Sequence, residues 1–407
     1  MILINTQYVK GDCFFKRINK NIKQYEYLTE DIETDVIIVG GGVTGAIMGY
    51  YFSKNNINAV ILEKGRVAHG STSITTSLLQ YELDSKAMEL KPYTTIDNII
   101  QSYKLGLKAL DEIKEFIDEN GNNCDYMKAD CLLYTSKELE KKEIEEEFNI
   151  RKNSGFDVEF IDESNNPFIF NIKGGVLSKG AGAKLDPYRY THELLKVSCE
   201  KGLKVYENSE VINVHYTDDG VIAETVYGYK VKGKIIVVST GYNTELFSDR
   251  AFGIKTTTFN IVTKPINNIE DIYHNILVRD NNVPYNYMRT TSDNRIIIGG
   301  EDINFVPDIN NEELCNKSYL KLEQRLKNIF KDIDIEIEYK YCGAFASTQD
   351  NLGFIGKDPN NKKIWYCLGY GANGILFAIL GGMMLSKLYL GEEDKNLNLF
   401  KVDRFDN

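Results

Sequence analysis

DVIIVGGGVTGAIMGYYFSKNNINAVILEK, residues 35–64, decides the fold. Val36–Val39 is a continuous β-branched run, the pattern of a strand buried on both faces. Gly40, Gly42 and Gly45 follow as G-x-G-x-x-G. The first glycine permits a tight turn, the second lets backbone approach a pyrophosphate, and the third lets helix pack closely on strand. A helix is expected over Thr44–Lys54, whose free N–H groups and dipole favour an anion. Asn55–Asn58 breaks it, and Ala59–Leu62 is a second apolar strand. Glu63 ends that strand 18 residues past Gly45, close to the ~20 expected of an acid that holds a ribose. Strand, turn, helix, strand and acid in this order predict a Rossmann-like dinucleotide unit. The acid would repel a 2′-phosphate, which disfavours NADP.

Whether the dinucleotide is NAD or FAD depends on the residues beyond Lys64. Residues 65–82 are rich in hydroxyls, with Ser71, Thr72, Thr75 and Ser77 ahead of Leu78. Such a run suits a loop and helix start facing a second phosphate or a ring. A helix is expected over Tyr188–Lys201 and a strand over Lys204–Tyr206. Val211–Tyr216 and Val221–Val226 flank Asp-Asp-Gly as a hairpin. Lys234–Val238 is a further strand ending in Ser239-Thr240-Gly241. The strand Lys363–Leu368 leads into a second glycine-rich turn, residues 369–375, and an apolar helix over Leu376–Leu390. Between these segments, Ile96–Glu119 and Glu312–Phe330 have helical periodicity, and Tyr285–Arg289 pairs with Arg295–Ile298 around Ser-Asp-Asn. Lys137–Asn153 is expected to be a charged helix with a solvated face. Residues 1–32 carry Tyr8, Phe14, Phe15, Tyr25 and Tyr27, and are expected to pack on the body as an arm.

Composition narrows the function classes. The 407 residues are 43% hydrophobic and 26% charged, an ordinary globular balance. A net charge of −11 disfavours nucleic acid or an anionic membrane as partner, since each needs a concentrated basic face. The apolar run Gly374–Leu385 is short of the ~20 residues of a transmembrane helix, and no secretory signal opens the chain. Seven scattered cysteines without CxxC, and four dispersed histidines, predict no disulfide framework and no metal site. The expected location is the cytoplasm.

The chain resembles the D-amino-acid oxidase superfamily of FAD enzymes, in its glycine oxidase and sarcosine oxidase branch. The resemblance rests on DVIIVGGGVTGA with Glu63, GSTSITTSLL, KLDPYRYTHELL (184–195), VVSTGYNTELF (237–247), YMRTTSDNRIIIGGED (287–302), STQDNLGFIG (347–356) and LGYGANGI (368–375). It covers residues 33–405 and implies an α/β fold. A discontinuous FAD-binding domain would comprise 33–80, 185–246 and 346–400, and an interleaved mixed-sheet substrate domain 81–184 and 247–345. It implies FAD contacts from Gly40, Gly42, Val43, Thr44, Gly45, Lys64, Ser71, Thr72, Thr75, Ser77 and Leu78, with Glu63 on the ribose and Val211 at the adenine. Gly241 and the turn residues Gly371, Asn373, Gly374 and Ile375 complete the set.

By the same resemblance, Gln80, Tyr81, Tyr287, Arg289, Phe345 and Gln349 are the pocket candidates, and His69 is a solvated loop residue. The expected activity is oxidation of a CH–NH bond of a small amine or amino acid by hydride transfer to flavin N5. A CH–OH dehydrogenase of a hydroxy acid or polyol phosphate is the alternative. The electron acceptor, oxygen or a carrier, is left open. Two arginines of glycine oxidase-like proteins are replaced here by Phe345 and Ala372, which predicts poor activity on glycine and leaves Arg289 to hold any carboxylate. The family's flavin-tethering cysteine falls one residue from Cys342, so FAD is expected to be non-covalent.

Overall fold

Three sheets organise the chain in the computed structural model, which describes residues 9–20, 22–267, 269–307 and 311–406. The first is a six-stranded nucleotide sheet in the order Phe354–Lys357, Ile364–Leu368, Ile235–Val238, Val36–Val39, Ala59–Leu62 and Lys204–Tyr206. All neighbours are parallel except the first pair. Its four central strands are buried along their whole length, as their unbroken apolar runs require. Helices Val43–Lys54, Pro187–Glu200, Ile96–Asn120 and Gly374–Tyr389 share one large core with this sheet.

The second sheet has ten strands among the described residues. Its central order is Ile337–Ser347, Ile254–Thr263, Ile296–Asn304, Asn286–Thr290, Ile276–Asp280, Met127–Thr135 and Gly174–Lys184. Leu78–Gln80 closes one end, carrying the chain directly from the hydroxyl-rich loop into this sheet. Helix Glu312–Ile329 packs on the sheet's outer face. A small third sheet contains the hairpin Val211–Thr217/Gly220–Thr225, strand Lys230–Gly233 and Ile32–Glu33. The mixed α/β architecture is the one expected from the sequence.

Two expectations need adjusting. The arm packs only in part. Strand Val9–Gly11 joins the edge strand Ile337–Ser347, and Phe14 and Phe15 are buried, whereas Tyr27 is exposed and Tyr25 half-buried. Tyr8 lies outside the described residues. The charged segment is helical only from Lys141 to Asn153, after a 3-10 turn at Glu138–Glu140, and its face is not simply solvated. Glu147 and Arg151 are fully buried, joined at 2.7 Å, with the Arg151 guanidinium over the rings of Tyr81 and Tyr103. No helix among the described residues is long and apolar enough to cross a membrane.

Candidate active site

A crevice opens at the carboxyl ends of Val36–Val39 and Ile235–Val238, neighbouring strands whose chain connections leave in different directions. Open α/β sheets bind ligands at such a point. The cavity that begins there has a volume of about 1150 Å³ and continues as far as the large sheet. That exceeds the ~300–1,000 Å³ of ordinary small-molecule pockets.

The glycine turn is built for backbone contact. Gly40 has φ +107°, and a Cβ there would lie 2.4 Å from the Ser239 carbonyl oxygen. A Cβ on Gly45 would lie 1.9 Å from the Gly40 carbonyl oxygen, so Gly45 shapes the turn without lining the cavity. Gly40, Gly42, Val43 and Thr44 do line it. The first turn of helix Val43–Lys54 has no acidic residue and no side-chain cap. Only the Val43 N–H is engaged by a nearby side chain, donating to Thr72 Oγ1 at 3.0 Å. The turn therefore offers an anion uncompensated N–H groups.

Glu63 is braced at both oxygens, accepting from Gly41 N–H at 2.6 Å and Gly65 N–H at 2.8 Å. Burial raises its pKa, and these two donors oppose the shift. Lys64, Ser71, Thr72, Thr75, Leu78, Val211 and Gly241 line the same cavity. Ser77 does not. It sits at φ +56° with a buried, unpartnered Oγ, a strained residue just behind the lining. His69, half-buried in its loop, lines the cavity and is hydrogen-bonded to Tyr188 at 3.2 Å.

The second glycine turn contributes Gly371, Gly374 and Ile375. Asn373 is structural, donating from Nδ2 to the Glu82 carbonyl at 2.9 Å. The N–H of Gly371 is taken by the Ala346 carbonyl and that of Ala372 by Asp84 Oδ2, each near 2.9 Å. The N–H groups that open helix Gly374–Tyr389 are left to face a ligand.

At the large sheet the cavity meets a row of paired residues. Asn260 opposes Gly299, Gly299 opposes Tyr287, and Tyr287 opposes Arg279, across four adjacent strands. Directly opposed residues point to the same face. The missing Gly299 side chain makes a hollow: a Cβ there would meet Asn260 Oδ1 at 2.4 Å and Tyr287 Cε2 at 2.5 Å. Asp84, Thr258, Tyr285 and Asp302 line the cavity beside this row, with Gln80 and Phe345. The Thr258 hydroxyl meets Tyr287 Oη at 3.3 Å. Burial pushes the Asp302 carboxyl up to about 6, and the nearby Thr258 hydroxyl opposes that shift.

Of the six pocket candidates, Gln80, Tyr287 and Phe345 reach the cavity. Arg289 does not. Its guanidinium donates to the carbonyls of Thr76, Leu185 and Thr290 and covers the Phe15 ring. With its donors spent on backbone, it has no fork to offer a carboxylate, and the expectation of an Arg289 clamp is withdrawn. Tyr81, just past strand Leu78–Gln80, lies outside the lining, its hydroxyl hydrogen-bonded to Ser178 at 3.2 Å. Gln349 is exposed and outside the lining. Sequence reading missed Arg279, Asp84, Asp302 and Asn260. Arg279 carried a signal: a cation inside the strand ILVRD, whose five residues are all buried.

Residues 35–388 match the family described as FAD dependent oxidoreductase, DAO. The chain belongs to this family. It is an FAD-dependent oxidoreductase, and its own residues fit the cofactor. The turn at Gly40 and Gly45 has no space for side chains, and Ser239 Oγ and Thr240 Oγ1 are buried beside it without partners. The putative Rieske 2Fe-2S iron-sulfur protein YhfW of Bacillus subtilis is 23% identical over 96% of this chain and 75% of its own length. Gamma-glutamylputrescine oxidoreductase of Escherichia coli is 24% identical over 91% of this chain and 87% of its own. Among solved structures, glycine oxidase from Geobacillus kaustophilus superposes with a TM-score of 0.75 at 18% identity, covering 89% of this chain and 96% of that one.

Proposed function

We propose that this FAD-dependent oxidoreductase oxidises a CH–NH bond of a small amine or amino acid. When bound, FAD supplies the hydride acceptor. The chain's part is to orient the C–H bond, exclude water and keep the reacting nitrogen uncharged. The observation that carries the reading is the continuity of one cavity from the glycine turn at Gly40 to the row Asn260–Gly299–Tyr287–Arg279. Relatives named for amine and amino-acid oxidation support it. The CH–OH alternative in its polyol phosphate form needs several converging cations, and the sheet end of the cavity offers Arg279 alone among the described lining residues.

We assign the FAD-binding domain to residues 33–80, 185–246 and 346–400, and the substrate domain to 81–184 and 247–345. Phe345 and Ala372 line the cavity where the glycine oxidase resemblance implies arginines, which supports poor activity on glycine. The seven unpaired cysteines support a reducing, cytoplasmic setting. The electron acceptor, oxygen or a carrier, is left open by these features. Anaerobic bleaching of the flavin by a panel of amines, amino acids and hydroxy acids tests the reading. Amines are expected to bleach it and glycine to do so poorly; bleaching by hydroxy acids alone overturns the reading.

A further inference from the structure

Polar atoms at the sheet end of the cavity are out of balance. Among the described residues, three buried acceptor oxygens here have no donor: Asn260 Oδ1, Asp84 Oδ1 and Asp302 Oδ1. All three residues line the cavity. Against them stands one buried donor without a partner, Arg279 Nε. Asn260 is 1% exposed, and its Nδ2 donates to the Ile74 carbonyl at 3.4 Å, which leaves Oδ1 as its free end. Arg279 is 4% exposed, with its guanidinium bonded to the Asp84 backbone carbonyl and its charge beside the Asp84 carboxylate.

Asp302 is different, because no cation among the described residues acts on it. The groups that act on it are the Thr258 hydroxyl, Asp84 and Glu301, and it acts in turn on Tyr285 and Tyr287. Glu301 is itself paired with Lys321 at 2.8 Å. A carboxylate in such surroundings is costly unless a positive charge arrives.

Resting on the amine-oxidation reading, we propose that this end of the cavity binds a second, non-reacting ammonium group of the substrate, so that the substrate class is a diamine or another amine bearing a fixed positive charge away from the oxidised carbon. An ammonium has N–H donors and no acceptor, so it can satisfy orphan carboxylate and amide oxygens of this kind, which an anion cannot. The Tyr287 ring adds a face that attracts a cation, whereas the Arg279 guanidinium already lies over the neighbouring Tyr285 ring, 5.8 Å from its centroid. The bound cation is not the nitrogen being oxidised. That nitrogen must lose its proton before hydride can leave the adjacent carbon, and a carboxylate beside it would favour the protonated form. A carboxylate is disfavoured at this end by the reverse argument, since it would meet the acids Asp84 and Asp302 and a single arginine whose charge already faces Asp84.

The test titrates 1,4-diaminobutane, n-butylamine and butanoate calorimetrically into the dithionite-reduced, anaerobic FAD-loaded protein, where amines cannot be turned over. The diamine is expected to bind at least about tenfold more tightly than the monoamine, the scale of one charge-assisted contact. Asp302→Asn should bring the two amines to within about twofold, converting that one contact to a neutral one, with FAD retention unchanged. Asn260→Leu, which removes a neutral acceptor, should weaken the diamine more than the monoamine. Equal affinity for the two amines in the parent, an unchanged ratio in both variants, or tightest binding of butanoate overturns the proposal. The two readings fail separately. Flavin bleaching by monoamines without diamine preference sinks the ammonium site alone. Diamine preference without bleaching by any amine sinks the oxidation reading and keeps the site.

Discussion

Glu63 shows how one side chain serves two purposes. Its oxygens hold the N–H groups of Gly41 and Gly65, and their remaining lone pairs face the cavity where a ribose would lie. Glu63→Ala removes a charged acceptor worth about 1.5–3 kcal/mol per bond. A roughly tenfold or greater rise in the Kd for FAD is expected, measured by quenching of flavin fluorescence on reconstitution of the apoprotein. An unchanged Kd would refute the role. Asp302 makes a prediction of opposite character. Its folded-state pKa, about 6, lies above its ordinary value, so the folded chain holds that proton more tightly than the unfolded chain. Its contribution to stability is therefore greatest in acid and is lost as pH climbs from about 4 to about 6. Asp302→Asn should match the parent's Tm near pH 4 and exceed it above pH 6. Parallel Tm profiles for the two proteins would show that Asp302 does not titrate in this way.

Helix Lys141–Asn153 carries the strongest prediction at the scale of an element. Arg151 holds Glu147 at 2.7 Å and lies 3.6 Å from Glu82, all three fully buried. Arg151→Met strands two acids, at a cost of about 3–5 kcal/mol in urea unfolding. Lys142→Ala, on the exposed face of the same helix, should stay within about 0.5 kcal/mol. An Arg151 variant as mild as the Lys142 one would mean the network relaxes into water. The same helix shows where sequence stops being legible. KKEIEEEFNIRKN has the composition of a solvated surface, and the residues that bury Arg151, namely Glu82, Tyr81 and Tyr103, are remote in the chain. Val36–Val39, its glycine turn and Glu63 could be read because strand, turn and acid act within thirty residues. Arg279 could not be placed, because its role depends on register: Tyr287 opposite it, then Gly299, then Asn260. Arg289 misled for the same reason. Two residues along the strand from Tyr287, it meets the carbonyls of Thr76 and Leu185.

For the whole molecule, the flavin is expected to be released on acid precipitation, leaving a white pellet. Cys342 is fully buried and outside the lining. Cys367 does line the cavity, but burial pushes its thiol pKa up, which keeps it protonated and a poor nucleophile. Yellow colour in the pellet would point to Cys367 or His69 as a covalent anchor. The order of strands in the nucleotide sheet has a consequence for biosynthesis. Val36–Val39 is made first, and Ile364–Leu368 and the turn that follows come more than 300 residues later. At roughly 5–20 residues per second, the first half of the dinucleotide cradle waits about 15–65 s for the second. Until then its central strands present bare edges and have no complete grip on a nucleotide. Flavin supply before the second glycine turn is made therefore cannot rescue the nascent chain, and capture of the cofactor must follow synthesis of residues 369–375.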